Sequence, residues 1–171
     1  IEIPSSVTWI GNSAFSGCSS LTNITIPSSA TGIGSSAFGG CSSLTNIVIP
    51  SSVTWIGDSA FYDCNSLINV TISLGVTEIG DWAFSGCSNL KDITIPSSVT
   101  NICQKAFEDC RSLTNITIPS SVTTIGDGIF YGIPSITVTV PYKSGENPPS
   151  DWDSNWNGTR SDCEVKIKYQ E

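Results

Sequence analysis

Hydrophobic positions recur along this chain with a 23-residue period. Residues 24–46 read ITIPSSATGIGSSAFGGCSSLTN, and residues 47–69 read IVIPSSVTWIGDSAFYDCNSLIN. Further copies begin at residues 1, 70, 93 and 116, so the chain contains six. A fixed period of this size is typical of a solenoid, in which each unit buries its apolar side only against its neighbours.

Each copy predicts two short extended segments that are joined by turns. Ile24-Thr25-Ile26 alternates apolar and polar side chains as a strand does, and Pro27 removes a backbone donor and ends the strand. A second extended segment follows, at Val53–Ile56 in the third copy. Gly57 then predicts a tight turn with a positive φ, and the Ala-Phe pair after it predicts a single helical or 3₁₀ turn.

The spacing of the repeat resembles that of a known family. Leu21-x-x-Ile24-x-Ile26 matches the opening L-x-x-L-x-L of leucine-rich repeats, although Ser29 stands where those repeats usually carry Asn or Cys. The longer string IPSSVTxIGxxAFxxCSSL resembles the BspA-like leucine-rich repeat family over residues 1–141. The resemblance implies a leucine-rich repeat β-solenoid: a right-handed coil of six 23-residue repeats. A parallel sheet would line its concave face, with short second strands or 3₁₀ turns elsewhere.

The repeat pattern stops after Pro141. Residues 142–150 are rich in Gly, Pro and Ser, and residues 163–169 alternate like a final strand. The open end of a solenoid needs to be covered, and similar Trp- and Asn-rich endings close the arrays of the BspA-like family. We therefore predict a C-terminal cap at residues 142–171. Residues 1–141 would form the repeat array, with repeats that start at 1, 24, 47, 70, 93 and 116.

A calcium-binding loop is a second interpretation of the tail. Asp153, Asn155, Asn157 and Glu164 fall at places one, three, five and twelve of the EF-hand spacing, and Gly158 falls at place six. However, no helical pattern precedes the first of these residues, and a strand pattern follows the last. The sequence therefore favours the cap, and we predict that the protein needs no metal or other cofactor.

Composition excludes several classes of partner and activity. The net charge of −8 comes from 15 acidic against 7 basic residues, so no basic face is available for nucleic acid or an anionic membrane surface. No apolar run approaches the roughly 20 residues of a membrane-spanning helix, and no signal peptide is visible. Since Ile1 already occupies a strand position of the repeat, we expect the chain to begin inside a larger array.

An enzyme is not predicted. The chain has no histidine, which excludes a Ser-His-Asp or Cys-His arrangement. Asp58 and Asp81 share a register in adjacent copies, and their separation would suit a retaining glycosidase pair. The same register holds Asn12, Ser35 and Gln104 in other copies, so a solvated edge is the better interpretation.

Cysteines recur in register with the repeat. Stacked copies would bring neighbouring cysteines close enough for disulfide or metal geometry to be considered. Ile133 takes the same place in the sixth copy, which indicates that the position requires apolar volume, and histidine is absent as a second ligand type. We predict a column of buried free thiols and leave open a bond between Cys103 and Cys163. The column comprises Cys18, Cys41, Cys64, Cys87 and Cys110.

Outward-facing and variable positions are the candidates for binding. The residues around each main strand form a polar, nearly uncharged lane, which suits either a soluble sheet face or a recognition surface. Tryptophan and tyrosine occur at variable places, where they either contact neighbouring turns or anchor a partner, and both are enriched at binding hot spots. The candidate binding residues are Trp9, Trp55, Trp82, Tyr62, Tyr131, Asn46, Asn69, Thr71, Asp92 and Thr94.

The family resemblance suggests a class of function without naming the ligand. Members are typically secreted or cell-surface proteins of host-associated microbes, and some are adhesins for host matrix proteins. The resemblance implies a non-catalytic extracellular recognition module. We predict that this module is a monomer and binds a protein or glycan ligand of the host or its matrix. The alternative is a structural spacer or self-associating repeat segment of a larger cell-surface protein.

Overall fold

The computed structural model describes residues 1–157 and 164–169. Within these ranges the chain winds into a stack of parallel coils without any helix, so none is present that could cross a bilayer. The strands are β1 (Gly32–Ile33), β2 (Asn46–Ile49), β3 (Trp55–Ile56), β4 (Asn69–Ile72), β5 (Glu78–Ile79), β6 (Asp92–Thr94), β7 (Asn101–Ile102), β8 (Asn115–Thr117), β9 (Thr124–Ile125), β10 (Ser135–Val140) and β11 (Glu164–Tyr169).

The third to the sixth coil each contribute one main strand and one short second strand, and all of the pairing between coils is parallel. The short second strands β1, β3, β5, β7 and β9 form one continuous sheet in that order, which we call the second sheet. The main strands form two sheets of three, β2-β4-β6 and β8-β10-β11. A strand residue pairs with the residue one full repeat further along the chain, as Ile33 does with Ile56 and Ile47 with Val70. The solenoid that the repeat predicts is therefore confirmed.

The ladder of main strands is interrupted at two seams. β6 and β8 are neighbours but belong to different hydrogen-bonded sheets, and a groove of about 240 Å³ lies between them. A second groove, of about 210 Å³, separates the segment at Ile24–Ile26 from β2. The second sheet continues past both seams, so the coils stay joined on that side while they part on the other.

The core is a set of columns, in which each coil places the same side chains above those of the coil before. Phenylalanines form the central column from Phe15 to Phe130, with ring centroids 5.2 to 6.3 Å apart and interplanar angles of at most 18°. Offset stacks of this kind add to the stabilisation from burial alone. In the third coil the buried side chains are Ile47, Ile49, Val53, Ile56, Ala60, Phe61, Cys64 and Leu67.

The glycine that follows the second strand in five of the six repeats serves close packing, and the prediction of a positive φ at this position was wrong. Cys103 stands at this place in the fifth repeat. A Cβ on Gly57 would lie 2.7 Å from the carbonyl carbon of Gly34, and one on Gly126 would lie 2.4 Å from the backbone nitrogen of Gln104. Gly11, in the first coil, has nothing within 4 Å of such a Cβ. At Gly57 and Gly126 a side chain is therefore excluded by the backbone of the preceding coil and not by the torsion angle.

Positive φ angles occur two places later instead, and they prevent the predicted helical turn. Ser59 has a φ of 55°, a left-handed conformation that cannot continue a right-handed helix. Backbone N–H groups here alternate between carbonyls of their own coil and of the next. Ala60 donates to Gly57 at 3.1 Å, whereas Phe61 donates to Ala83 at 2.8 Å. The same conformation occurs at Ser13, Ser36, Trp82, Lys105 and Gly128.

The tail follows the path of one more coil, although its sequence lacks the repeat. Trp152 pairs with Ile125 in parallel, and Ile129 donates its N–H to the carbonyl of Trp156 at 3.0 Å. β11 then pairs in parallel with β10, which confirms the predicted final strand at Glu164–Tyr169. Val138 is the strand partner of Ile167. These two residues are further apart along the chain than one repeat, so this last coil is longer than the regular ones.

Two tryptophans of the tail cover the last regular coil. Trp156 meets Phe130 edge-on, with ring centroids 6.4 Å apart, and so ends the phenylalanine column. Trp152 packs against Trp156 at 5.0 Å and donates its indole N–H to the carbonyl of Val122 at 3.3 Å. Both side chains are buried, which keeps the apolar end of the stack from water.

Phe84→Ala should destabilise the protein by about 3–5 kcal/mol, because it removes a fully buried ring and two stacking partners from the middle of the column. Phe15→Ala is the matched control: its ring is half-buried and stacks on Phe38 from one side, so the loss should be clearly smaller. Urea unfolding followed by circular dichroism measures both. Equal losses for the two variants would contradict the column as the main source of stability.

Candidate functional site

The outward side chains of the main strands form one exposed surface, which we call the sheet-face lane. Asn46, Asn69 and Asp92 are direct partners across β2, β4 and β6, and Thr71 and Thr94 are partners two places further on. The Asn69 amide donates to the Asn46 side-chain oxygen at 2.9 Å, so part of the lane is an ordered amide ladder. The lane consists of Asn23, Asn46, Asn69, Asp92, Asn115, Thr25, Val48, Thr71, Thr94 and Thr117.

The seams divide the sheet-face lane. Asp92 and Thr94 lie on one side of the groove between β6 and β8, and Asn115 and Thr117 face them from the other. Val48, which borders the second groove, is 60% exposed and interrupts an otherwise polar surface. The lane therefore offers one apolar contact and two grooves, and Asp92 is the one charged side chain among its ten residues. Charged residues adjoin it at both ends: Glu2 is the bridge partner of Thr25, and Lys166 and Lys168 pair with β10.

Trp9 and Trp55 belong to a second surface, in the second sheet. The equivalent positions of the coils make up the tryptophan register: Trp9, Gly32, Trp55, Glu78, Asn101 and Thr124. The two indoles are nearly parallel, with an interplanar angle of 17°, and their centroids are 5.8 Å apart although a whole coil separates them. They meet because Gly32 lies between them: a Cβ there would be 2.2 Å from Cζ3 of Trp9.

Polar side chains continue the tryptophan register beyond the indoles. Glu78 is the direct strand partner of Trp55, and Asn101 is the partner of Glu78. The Asn101 amide donates to the Glu78 carboxylate at 3.4 Å. Sequence reasoning did not select Gly32, Glu78 or Asn101, although a glycine between two tryptophans at the repeat spacing was a usable signal.

Trp82 and Tyr131 lie on a third surface, the turn edge, on either side of a cation. The ammonium of Lys105 is 5.8 Å from the centroid of the Trp82 ring and 5.7 Å from that of Tyr131, distances at which cation–π attraction operates. Lys105 also pairs with Glu108 at 3.5 Å. Tyr62 occupies the same register as Tyr131 three coils earlier and is 42% exposed.

The candidate binding residues therefore do not converge on one site. Asn46, Asn69, Thr71, Asp92 and Thr94 share the sheet-face lane. The aromatic residues divide between the other two surfaces: Trp9 and Trp55 lie in the tryptophan register, and Trp82, Tyr62 and Tyr131 lie on the turn edge. Each surface must be tested separately.

Asp58 and Asp81, the carboxylates considered as a glycosidase pair, hold neighbouring coils together. Asp58 Oδ1 accepts the backbone N–H of Asp81 at 3.0 Å. Asp81 in turn accepts the backbone N–H of Gln104 at 3.0 Å and its side-chain amide at 3.2 Å. Asn12 makes the corresponding bond to the backbone of Ser35, which shows that a neutral side chain does the same structural task.

The side chains of the candidate calcium loop have protein partners. Asp153 accepts the backbone N–H of Asn155 at 2.8 Å, and the Asn155 amide donates to Asp127 at 2.6 Å and also contacts Tyr131. Glu164 lies in β11, where it contacts Ser135 and Lys166. Gly158 lies outside the described residues. The calcium loop, with Asn157 as its fourth member, stays an untested alternative to the cap.

Four cysteines of the column are buried thiols, and each one makes a hydrogen bond. The Sγ of Cys64 donates to the carbonyl of Phe38 at 3.1 Å, and equivalent bonds of 3.1 to 3.2 Å occur at Cys41, Cys87 and Cys110. The thiols therefore satisfy a carbonyl in addition to filling apolar volume. The prediction was wrong for Cys18, which is exposed. It lies in the first coil, which is covered by a neighbouring coil on one side only.

Burial raises the thiol pKa along the column. Loss of hydration moves the pKa from 9.0 to about 11 at Cys41 and to about 12 at Cys64, since the charged thiolate is the form that burial disfavours. The pKa values of Cys87 and Cys110 are raised by the same cause. The pKa of Cys103, outside the column, is raised to about 12. Its possible partner Cys163 lies outside the described residues.

The sequence matches the family model for the BspA type leucine rich repeat region, in six copies over residues 1–110 and 77–147. No curated protein matches the chain. Among solved structures, a leucine rich cell surface protein from Faecalibacterium prausnitzii is similar at 31% identity with a TM-score of 0.66. The similarity covers 95% of this chain and 50% of that protein, so the chain spans about half the length of this relative.

Two further solved structures show the same fold. The leucine rich repeat protein of T. pallidum has 26% identity and a TM-score of 0.66, over 96% of this chain and 72% of its own. A leucine-rich repeat protein from Eubacterium ventriosum has 26% identity and a TM-score of 0.70, and the similarity covers 88% of this chain and 46% of that protein. Both alignments extend over most of the coil stack described above.

A thiol reagent should label Cys18 rapidly in the native protein and the four buried cysteines slowly, because reaction needs an accessible thiolate. Mass spectrometry after labelling identifies each site, and a Cys18→Ser variant should lose the rapidly labelled Cys18 peptide while Cys41, Cys64, Cys87 and Cys110 stay slow. Rapid native labelling of Cys64 near pH 8 would contradict its burial.

The free energy of unfolding should fall as the pH rises above about 9. The thiol pKa values of the folded protein lie above the unfolded value of 9.0, so the folded protein keeps protons that the unfolded chain releases.

Proposed function

The chain belongs to the BspA-type leucine-rich repeat family, and from this premise we propose that it is a non-catalytic recognition module. In this proposal it is part of a secreted or cell-surface protein and binds a host or matrix protein or a glycan. The ligand contacts exposed side chains, while the repeated residues maintain the scaffold. The module acts as a monomer.

The contrast between inward and exposed positions is the observation that carries the proposal. Phenylalanine fills its inward place in all six repeats, and cysteine or isoleucine fills another. The exposed registers, by comparison, hold side chains as different as Trp9, Glu78 and Thr124. A rigid stack that displays varied side chains at regular spacing is how solenoid proteins present extended binding surfaces.

Surface location is supported by the family and by one relative. The Faecalibacterium prausnitzii protein that the chain resembles is described as a leucine rich cell surface protein. The net charge of −8, from 15 acidic and 7 basic residues, suits a protein or glycan partner more than a nucleic acid, because phosphate recognition needs clustered basic side chains. A structural spacer or self-associating segment is the alternative, and sizing by light scattering distinguishes it.

Binding should depend on the aromatic residues. We expect the immobilised protein to capture at least one member of a panel of matrix proteins and glycans. Combined Trp55→Ala and Trp82→Ala substitutions should weaken this binding about tenfold, the usual scale for loss of aromatic anchors. The melting temperature should stay within a few degrees, since both side chains are only partly buried.

A sheet-face variant with Thr71→Lys and Thr94→Lys serves as the comparison, because it alters a different exposed surface and leaves both tryptophans in place. Weaker binding in this variant alone would move the site to the sheet-face lane. If a panel member binds and both variants bind it as the unmodified protein does, neither substituted surface is the binding site. If no panel member binds, the proposed function is wrong. Self-association in solution would then favour the structural alternative.

A further inference from the structure

We propose that Trp9 and Trp55 form a stacking platform for a neutral, linear oligosaccharide, which runs along the tryptophan register toward Glu78 and Asn101. The inference rests on the proposed recognition function and deepens it, because it names the ligand class and the surface. The sheet-face lane and the turn edge take no part in it.

The platform exists because one coil lacks a side chain. Trp9 leans across Gly32, with its six-membered ring over the Cα of that glycine, and lies nearly parallel to Trp55. Trp9 stays 46% exposed in this position, so the pair is not closed off as a core contact. The exposed part of the Trp9 ring, with the partly exposed Trp55 ring beside it, can pack against the apolar C–H face of a sugar ring, which buries hydrocarbon while the sugar hydroxyls remain at the edge.

Hydrogen-bonding groups continue in line with the platform. Glu78 and Asn101 follow Trp55 as successive strand partners, and they supply a carboxylate acceptor and an amide that can both donate and accept. A column of exposed threonines runs beside them: Thr77 donates its hydroxyl to the carbonyl of Thr54 at 3.0 Å, and Thr100 donates to that of Thr77 at 3.2 Å. Because these hydroxyl protons are engaged, the oxygen lone pairs are oriented to accept from a ligand.

The spacing of the register favours a linear chain along the coil axis. Neighbouring parallel strands lie about 4.8 Å apart, and an extended oligosaccharide advances by a similar length for each sugar ring. A sugar on the indoles therefore places the next sugar rings over Glu78 and Asn101. Aromatic stacking at one end and polar groups at the other would fix both the position and the direction of the ligand.

Charge and backbone pairing argue against other ligand classes. Glu78 stands directly after the platform in a chain of net charge −8, which disfavours phosphate and sulfate groups. A peptide strand would need an unpaired sheet edge beside the indoles, but β1, β3 and β5 already pair with one another in the continuous second sheet. A neutral sugar needs neither a cation nor a free backbone edge.

Gly32→Ala tests the platform without removing either tryptophan. The new Cβ would occupy the space of the Trp9 ring, and the three nearest atoms all belong to that flexible side chain, so Trp9 must turn away while the backbone remains. Gly11→Ala is the matched control, because a Cβ there has nothing within 4 Å. Binding of neutral cello-, xylo- and laminari-oligosaccharides to the intact chain is measured by calorimetry, and tryptophan fluorescence is recorded in parallel.

We expect at least one neutral oligosaccharide to bind and to change the tryptophan fluorescence. Gly32→Ala should weaken this binding about tenfold, whereas Gly11→Ala should leave it within about twofold. Melting temperatures of both variants verify that they are folded. If Gly32→Ala fails to fold, Trp55→Ala replaces it and should give the same loss.

Three outcomes would overturn the inference: no neutral oligosaccharide binds at millimolar concentration, a sulfated glycan binds in preference, or the Gly32→Ala and Gly11→Ala proteins bind equally well. The proposed function fails separately. If a matrix protein binds through the sheet-face lane while no oligosaccharide does, only the inference is wrong. If neither class of ligand binds, the proposed function is wrong as well.

Discussion

The close spacing of successive coils is the constraint on which the rest of this structure depends. Backbone hydrogen bonds between coils recur along the second sheet and through the turns, so equivalent residues are held one strand spacing apart. This spacing brings phenylalanine rings into a stack and thiols within reach of carbonyls. It also excludes any side chain at Gly57, because the backbone of the previous coil occupies that space.

The same constraint separates scaffold from surface. Because the inward positions must match the coils on both sides, they hold the same residues from copy to copy, and they have little freedom to serve recognition. Outward positions are free to differ, and they form three surfaces of distinct chemistry: an amide and hydroxyl lane, a pair of indoles with a polar continuation, and a turn edge with a cation between aromatic rings. These differences, and not the repeat itself, are the basis for the proposed recognition role.

The stack is irregular in its final coil and at the seams between main strands. The final coil is longer than the regular ones, yet Trp152 and Trp156 still occupy positions beside Ile125 and the last phenylalanine. The main strands part at two seams while the second sheet remains continuous. The core and the second sheet therefore stay continuous from coil to coil, whereas the main strands and the tail tolerate variation.

The sequence by itself determined the solenoid, the apolar positions that each coil buries and the final strand, because a strict period repeats the same core requirement in every copy. It misplaced the positive φ angles, which lie at Ser59 and its equivalents; glycine is needed at Gly57 because the neighbouring coil leaves no room for a side chain, and not because of its torsion angle. It treated the thiols as apolar filling and placed Cys18 among them, whereas Cys64 also satisfies a carbonyl. Only the tertiary structure decided that Trp9 and Trp55 meet, because that contact depends on how far an indole reaches across the empty position at Gly32.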